Sequence, residues 1–269
     1  MISFPNAKIN IGLNITEKRP DGYHNLETIF YPIELCDALE FVESEENKFA
    51  YSGFNIDGET DNNLIIKAYR LLKKEFNLPK INIHLHKAIP MGAGLGGGSA
   101  DAAFMLKMLN EEFKLGLSSE ELQQKASLLG ADCAFFVENK PTLAKGIGNI
   151  FEPTEVNLEG YHIVLVKPDV HVSTAEAYGG CKPQRWTTPL ETAIKRPIAE
   201  WKNCIFNDFE KTVFVAHPEL AEIKKMLYDK GAIYAAMSGS GSTIYGIFDK
   251  EVSDINTHID SKIYKFQLK

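Results

Sequence analysis

The sequence predicts an α+β chain in two domains, and three observations carry that prediction. Its 269 residues are about twice the length of a typical domain. Segments that alternate polar and apolar residues, at 7–15 and 80–87, are interspersed with segments of helical spacing, at 63–76, 102–113 and 118–130. Gly146, Gly148 and Pro153 then interrupt the pattern, separating a first half, 1–152, from a second, 153–269. A composition of 44% hydrophobic and 24% charged residues excludes a collagen-like, coiled-coil or disordered chain.

In order along the chain, residues 7–15 place Ala7, Ile9, Ile11, Leu13 and Ile15 on one face and Lys8, Asn10, Gly12 and Asn14 on the other, which predicts a half-buried strand. Arg19-Pro20-Asp21-Gly22 is turn chemistry, Pro fixing φ and Gly accepting a positive one, so the strand should fold back through the β-rich run 23–35. Leu64, Ala68, Leu71 and Leu72 mark a helix that ends near Pro79, and 80–87 reads as a strand leading into a cluster of glycines. His84 and His86 share a face of that strand with Asn82 and find no third ligand, so the face reads as solvated. Ala102, Ala103, Leu106, Leu109 and Phe113 form the buried stripe of the next helix, which stops at Gly116. Ser118 and Glu121 make a capping box for a further helix through Leu122 and Ala126 to Gly130, with Asp132 just beyond.

In the second half, 162–166 reads as a strand and 218–230 as a helix with Pro218 near its start and Gly231 at its end. Strands at 232–237 and 243–248 flank Ser238-Gly239-Ser240-Gly241-Ser242, and 262–268 is a final strand. Trp186 and Trp201, within 182–203, read either as core anchors of this half or as a subunit contact.

Twenty-nine basic against 36 acidic residues give a net charge of −7, which excludes nucleic acid or an anionic membrane surface as the main partner. Any phosphate must therefore be held locally. Cys36, Cys133, Cys181 and Cys204 lie far apart without a C-x-x-C pair, which suggests reduced thiols rather than a zinc site or a disulfide framework. With no basic-then-apolar leader and no apolar run near the ~18 residues of a membrane span, the chain reads as cytoplasmic.

The strongest feature is the run Pro90, Met91, Gly92, Ala93, Gly94, Leu95, Gly96, Gly97, Gly98, Ser99, Ala100, Asp101 between a strand and a helix. Glycines let the backbone approach an anion, and the helix start presents N–H groups and the positive end of its dipole, so the run reads as a phosphate cradle. No Lys follows the glycines, which excludes a Walker A loop. Gly92, Gly94 and Gly97 match G-x-G-x-x-G, but the window about 20 residues on, where a dinucleotide fold carries its acidic residue, holds a helix end and a capping box.

Together with that run, Ala7-Lys8-Ile9-Asn10-Ile11-Gly12-Leu13 and Ala236-Met237-Ser238-Gly239-Ser240-Gly241-Ser242 resemble the three motifs of the GHMP kinases. Asp21-Gly22-Tyr23-His24, Leu129-Gly130-Ala131-Asp132 and Asn207-Asp208-Phe209-Glu210 extend the match to the branch whose acceptor is a cytidine diphosphate-linked methylerythritol. The resemblance implies a GHMP kinase fold, with an N-terminal half like ribosomal protein S5 domain 2 and a ferredoxin-like C-terminal half, acting as a monomer or weak homodimer. It implies transfer of the γ-phosphoryl of ATP, with Mg²⁺, to the acceptor 2-hydroxyl, a step of the methylerythritol phosphate route to isoprenoid precursors. Homoserine and mevalonate kinases, or a nucleotide-binding protein without activity, are the alternatives.

Carried onto this chain, the resemblance makes Asp132 the general base and Lys8 its charged neighbour, residues 90–100 the ATP cradle, and Asn10, Tyr23, His24, Thr174 and Tyr178 the substrate contacts. Tyr23 and Tyr178 would stack on the cytosine from opposite faces. From the residues alone, Lys8 reads equally as a solvated strand residue, Asp132 as a helix cap, Tyr23 as a hairpin flank and Tyr178 as core. Ser99 at the helix start serves either as its cap or as a Mg²⁺ contact, with the cap favoured. Asn207, Asp208, Phe209 and Glu210 receive no chemical role.

Overall fold

A computed structural model describes residues 1–56 and 58–269. In chain order the strands are β1 (Ile2–Ser3), β2 (Asn6–Lys18), β3 (His24–Cys36), β4 (Ala38–Glu43), β5 (Lys48–Gly53), β6 (Ile81–Lys87), β7 (Thr142–Lys145), β8 (Ile150–Pro153), β9 (His162–Pro168), β10 (Tyr234–Met237), β11 (Ile244–Phe248) and β12 (Ser261–Gln267). The helices are α1 (Leu64–Lys73), α2 (Gly97–Glu112), α3 (Ser119–Ser127), α4 (Phe135–Glu138), α5 (Thr174–Gly179), α6 (Leu190–Ala193), α7 (Ile198–Trp201), α8 (Glu210–Ala216) and α9 (Pro218–Asp229). They gather into two compact units, each assembled from separate stretches of chain: Met1–Lys8, Pro32–Met91 and Gly96–Lys140 in the first, and Ile9–Tyr31, Gly92–Leu95 and Pro141–Lys269 in the second.

The first unit is built on the sheet β1-β4-β6-β5, in which β4 and β6 are antiparallel and β5 and β6 parallel. A parallel pair requires a crossover, and α1 supplies it. Asn63 caps α1 by accepting from the Ile65 amide, and Ile65, Ala68, Tyr69 and Leu72 form its buried face. α2 buries Ala102, Ala103, Met105, Leu106 and Leu109. Ser118 and Glu121 form the reciprocal capping box of α3 that their spacing predicts. β1, β4 and β5 escape the sequence reading because they are short and partly exposed, with Val42 and Tyr51 open to solvent, so alternation is weak there.

The second unit holds most of the sheet β2-β3-β7-β8 and all of the antiparallel sheet β10-β11-β9-β12. α8 and α9 pack Val213, Leu220, Ile223 and Leu227 into a core with Val164, Val166, Ala235 and Ile244. Trp201 is buried and donates its indole N–H to the Arg196 carbonyl at 2.9 Å, so it is a core anchor of this unit.

One expectation is corrected. β2 is covered on both faces: the residues assigned to its polar face, Lys8, Asn10 and Asn14, are each only 3% exposed. Buried polar groups need partners, and each of these side chains has one.

The first unit also buries an ionic cluster. Lys87, at the end of β6, pairs with Asp37 and lies 3.1 Å from Asp101 on α2. Asp37 Oδ1 accepts the Ala88 and Ile89 amides at 2.6 and 2.8 Å. The cluster thus ties the strand entering the glycine loop to the helix leaving it. One ammonium cannot neutralise two buried carboxylates; burial foremost, with Asp37 nearby, raises Asp101 to about 8 against the pull of Lys87. A carboxyl whose folded pKa is raised contributes stability that is complete below its unfolded value and is lost as pH rises through the folded one. The melting temperature is therefore expected to fall as pH rises from the unfolded carboxyl value of about 4 to about 8 and to level off above that, and Asp101→Asn, which keeps the shape without a proton to lose, should flatten that fall by a few degrees. Parallel melting curves for the two proteins would refute the assignment.

Candidate active site

The glycine loop leaves β6 and enters α2. Pro90, Ala93 and Leu95 are buried anchors, whereas Met91 is 46% exposed. Gly96 is the residue before α2, at φ +72, and a Cβ there would press within about 3 Å of the Phe136 ring and the Lys8 side chain. Gly97 opens the helix, and its first internal hydrogen bond runs from the Ala100 amide to the Gly96 carbonyl at 2.9 Å. The amides of Gly97, Gly98 and Ser99 therefore have no partner within the helix and stand at its positive end, an arrangement suited to an anion. Gly98 faces open space.

Ser99 does not cap α2. The cap position belongs to Gly96, without a side-chain hydrogen bond, because the helix begins two residues before Ser99. The Cys133 thiol, which burial raises to about 11, interacts with the Ser99 side chain. The neighbouring Asp132 does not cap a helix either, since α4 starts after Ala134. Asp132 stands in the turn between α3 and α4, and its Oδ2 lies 3.3 Å from Lys8 Nζ. The Lys8 side chain is 4% exposed and that of Asp132 31%, so the ammonium is enclosed while the carboxylate remains open to an incoming group.

Within the second unit, the first part of the loop meets the Ser-Gly-Ser-Gly-Ser turn. Ser238 Oγ donates to the Gly94 carbonyl at 2.8 Å, and the Thr243 amide donates to the Ala93 carbonyl at 3.3 Å. The approach is close enough that a Cβ at Gly94 would overlap the Ser238 carbonyl. Gly92 lies beside the His171 ring. Asn10 donates its amide to Ser238 Oγ at 3.2 Å and its side-chain N–H to Thr28 at 3.0 Å.

The hairpin turn brings His24 onto Tyr178, with the rings stacked at 4.9 Å and 25°. Tyr178 also meets the edge of Phe209 at 4.8 Å. Desolvation, with Lys18 assisting, lowers the His24 pKa and favours the neutral ring. Tyr23 projects outward at 63% exposure, so in this arrangement His24, not Tyr23, is the ring against Tyr178. Thr174 is exposed in the first turn of α5, which Ser173 caps.

Sequence reasoning passed over Asp37 and Lys87, although a signal was present. Lys87 continues the apolar face Ile81, Ile83, Leu85 at period two, and a Lys in a buried register calls for a buried anion. It also left Asn207 and Asp208 without a task. Asp208 accepts from the Ile15 amide at 2.8 Å and from Asn14 at 2.7 Å, and Asn207 donates to the carbonyls of Met237 and Gly239, both at 2.8 Å.

Residues 63–140 match the family model "GHMP kinases N terminal domain" and residues 190–256 match "GHMP kinases C terminal". The 4-diphosphocytidyl-2-C-methyl-D-erythritol kinase of Bacteroides fragilis is 62% identical over 255 residues, 93% of each chain. The protein of the same name from Bacteroides thetaiotaomicron is 55% identical over 271 residues, 99% of each chain. A crystal structure of 4-(cytidine 5'-diphospho)-2C-methyl-D-erythritol kinase superposes with a TM-score of 0.79 at 30% identity, covering 92% of this chain and 90% of that one. Methanococcus jannaschii mevalonate kinase, with a TM-score of 0.71 at 13% identity over 100% of this chain and 98% of that one, shares the fold. The chain thus belongs to the 4-diphosphocytidyl-2-C-methyl-D-erythritol kinase family of GHMP kinases.

Proposed function

We propose that this kinase transfers the γ-phosphoryl group of ATP to the 2-hydroxyl of 4-diphosphocytidyl-2-C-methyl-D-erythritol, giving the 2-phosphate and ADP, within the methylerythritol phosphate route to isoprenoid precursors. The observation that carries the reading is the Lys8–Asp132 pair at 3.3 Å. A tertiary alcohol is a weak nucleophile at neutral pH. In this reading Asp132 takes the hydroxyl proton as the new O–P bond forms and the bond from γ-phosphorus to the bridging oxygen breaks, while Lys8 stabilises the charge that develops at the reacting oxygen.

The α2 N-terminus and the backbone of residues 90–100 hold the phosphates of ATP. A cavity of ≈ 200 Å³ beside Gly98, lined by Phe49, Tyr51, Leu85 and Met91, suits the purine. Among the described residues no three His, Cys, Asp or Glu side chains gather to hold a metal. That donor set fits a Mg²⁺ carried chiefly by phosphates and water, for which Ser99 Oγ and the Asp132 carboxylate are protein oxygens of the right hardness. When bound, the ion neutralises phosphate charge. Tyr178 and His24 face the cytosine, with Asn10, Tyr23 and Thr174 completing the acceptor contacts. Base–aromatic stacking of ~1–3 kcal/mol makes the base a strong anchor.

The chain divides functionally near 152/153, a reading supported by the two family matches that fall on either side of it. The net charge of −7 supports an enzyme without a nucleic-acid or membrane partner. Four free thiols support a cytoplasmic setting, and we assign a monomer or weak homodimer.

Release of ADP in a coupled assay is expected with the cytidine diphosphate-linked acceptor and not with homoserine or mevalonate; turnover of either control alone would sink the substrate assignment. Asp132→Asn should lower kcat by roughly 10²–10⁴-fold, and a wild-type rate would remove Asp132 from the role of base. Gly98→Glu places a carboxylate where the phosphates bind, at a position where an added Cβ meets nothing within 4 Å and where an acidic residue suits a helix N-terminus. It should raise the KM for ATP at least roughly tenfold with an unchanged melting temperature, and an unaltered KM would refute the cradle.

A further inference from the structure

The Asn207 side chain is spent entirely on backbone. It is 2% exposed, its amide nitrogen donates to the Met237 and Gly239 carbonyls at 2.8 Å each, and its oxygen accepts the Phe209 amide at 3.0 Å. Its own backbone is held against β2, where Leu13 exchanges hydrogen bonds with Phe206 and Asp208 at 2.8 Å. The residue between the two carbonyls that Asn207 grips is Ser238, which is 0% exposed. Ser238 Oγ accepts the Asn10 amide and donates to the Gly94 carbonyl. Glu210 steadies the same turn from its other side, Oε1 accepting the Met237 amide at 2.8 Å while Oε2 pairs with Lys224 at 2.6 Å.

We propose that Asn207 is a positioning residue for the phosphate donor, acting through Ser238 on the Gly94 peptide of the glycine loop. Two carbonyls converge on one side chain, so the position demands a group with two hydrogens to give. Asn supplies both, whereas the isosteric Asp supplies none and sets a carboxylate against two carbonyl oxygens. The Ser238 hydroxyl then transmits the position of the turn to the Gly94 carbonyl of the loop. This assignment rests on the reading of the loop as the ATP phosphate cradle.

Steady-state kinetics with ATP and the acceptor varied separately test the relay. Asn207→Asp is expected to raise the KM for ATP by roughly tenfold or more and to leave the acceptor KM within about twofold. Ser238→Ala should also raise the KM for ATP, with a smaller rise in the acceptor KM because the lost hydroxyl also accepts the Asn10 amide. Because both act on one peptide, the double variant should be little worse than the more severe single, a coupling that general loosening of the fold would not produce. Additive losses, equal rises in both KM values, or a wild-type KM for ATP in folded Asn207→Asp would overturn the proposal. Should Asn207→Asp fail to fold, Ser238→Ala decides, and an unchanged KM for ATP there overturns it as well. If Gly98→Glu also leaves that KM unchanged, the cradle falls and the relay with it; if Gly98→Glu raises it while the other two variants do not, the relay alone fails.

Discussion

A polar group withdrawn from water must find a partner, and β2 is where this constraint organises the protein. Lys8, Asn10 and Asn14 all lie on this strand, and none is left to solvent. Each recruits a different element. Lys8 draws in the turn that carries Asp132, Asn10 draws in Thr28 and the Ser238 turn, and Asn14 draws in Asp208. The obligation is met inside the first unit for Lys8 and inside the second for Asn10 and Asn14.

The glycine loop shows the same economy. An anion site at a helix N-terminus needs its amides free of side-chain caps, and α2 begins from a glycine in the left-handed region, not from a Ser or Asp. What a cap would normally contribute to rigidity is supplied from below, where Asp37 holds the strand exit and Lys87 reaches from it to Asp101 on the helix. Breaking a buried pair of this kind typically costs 3–5 kcal/mol, so the loop is flanked by stiff ends although it is itself rich in glycine.

The principal strands and helices that bear the site could be read from periodicity and punctuation. The capping box at Ser118 and the stop at Gly130 locate the turn holding Asp132, and alternation locates Lys8 on the polar face of its strand. Three things could not be read so. Alternation states which side chains share a face, but not whether that face meets water, so β2 was expected to be half-buried. Glycines at a helix start leave its first residue ambiguous, so Ser99 was given a cap that belongs to Gly96. A hairpin turn delivers two adjacent rings, and nothing in their order says that His24 rather than Tyr23 turns toward Tyr178.

By itself, then, the sequence determined the order and type of the main elements, the local phosphate-holding character of the glycine run, and the need for a local rather than a surface source of positive charge in a chain of net charge −7. These follow from short-range rules of spacing, propensity and turn chemistry. Only the tertiary structure decided that Lys8 is buried against Asp132, that Lys87 sits between Asp37 and Asp101, and that Asn207 grips the carbonyls on either side of Ser238. Each joins residues distant in the chain, and the reason they form is desolvation, which acts only once packing has removed the water and which no local pattern encodes.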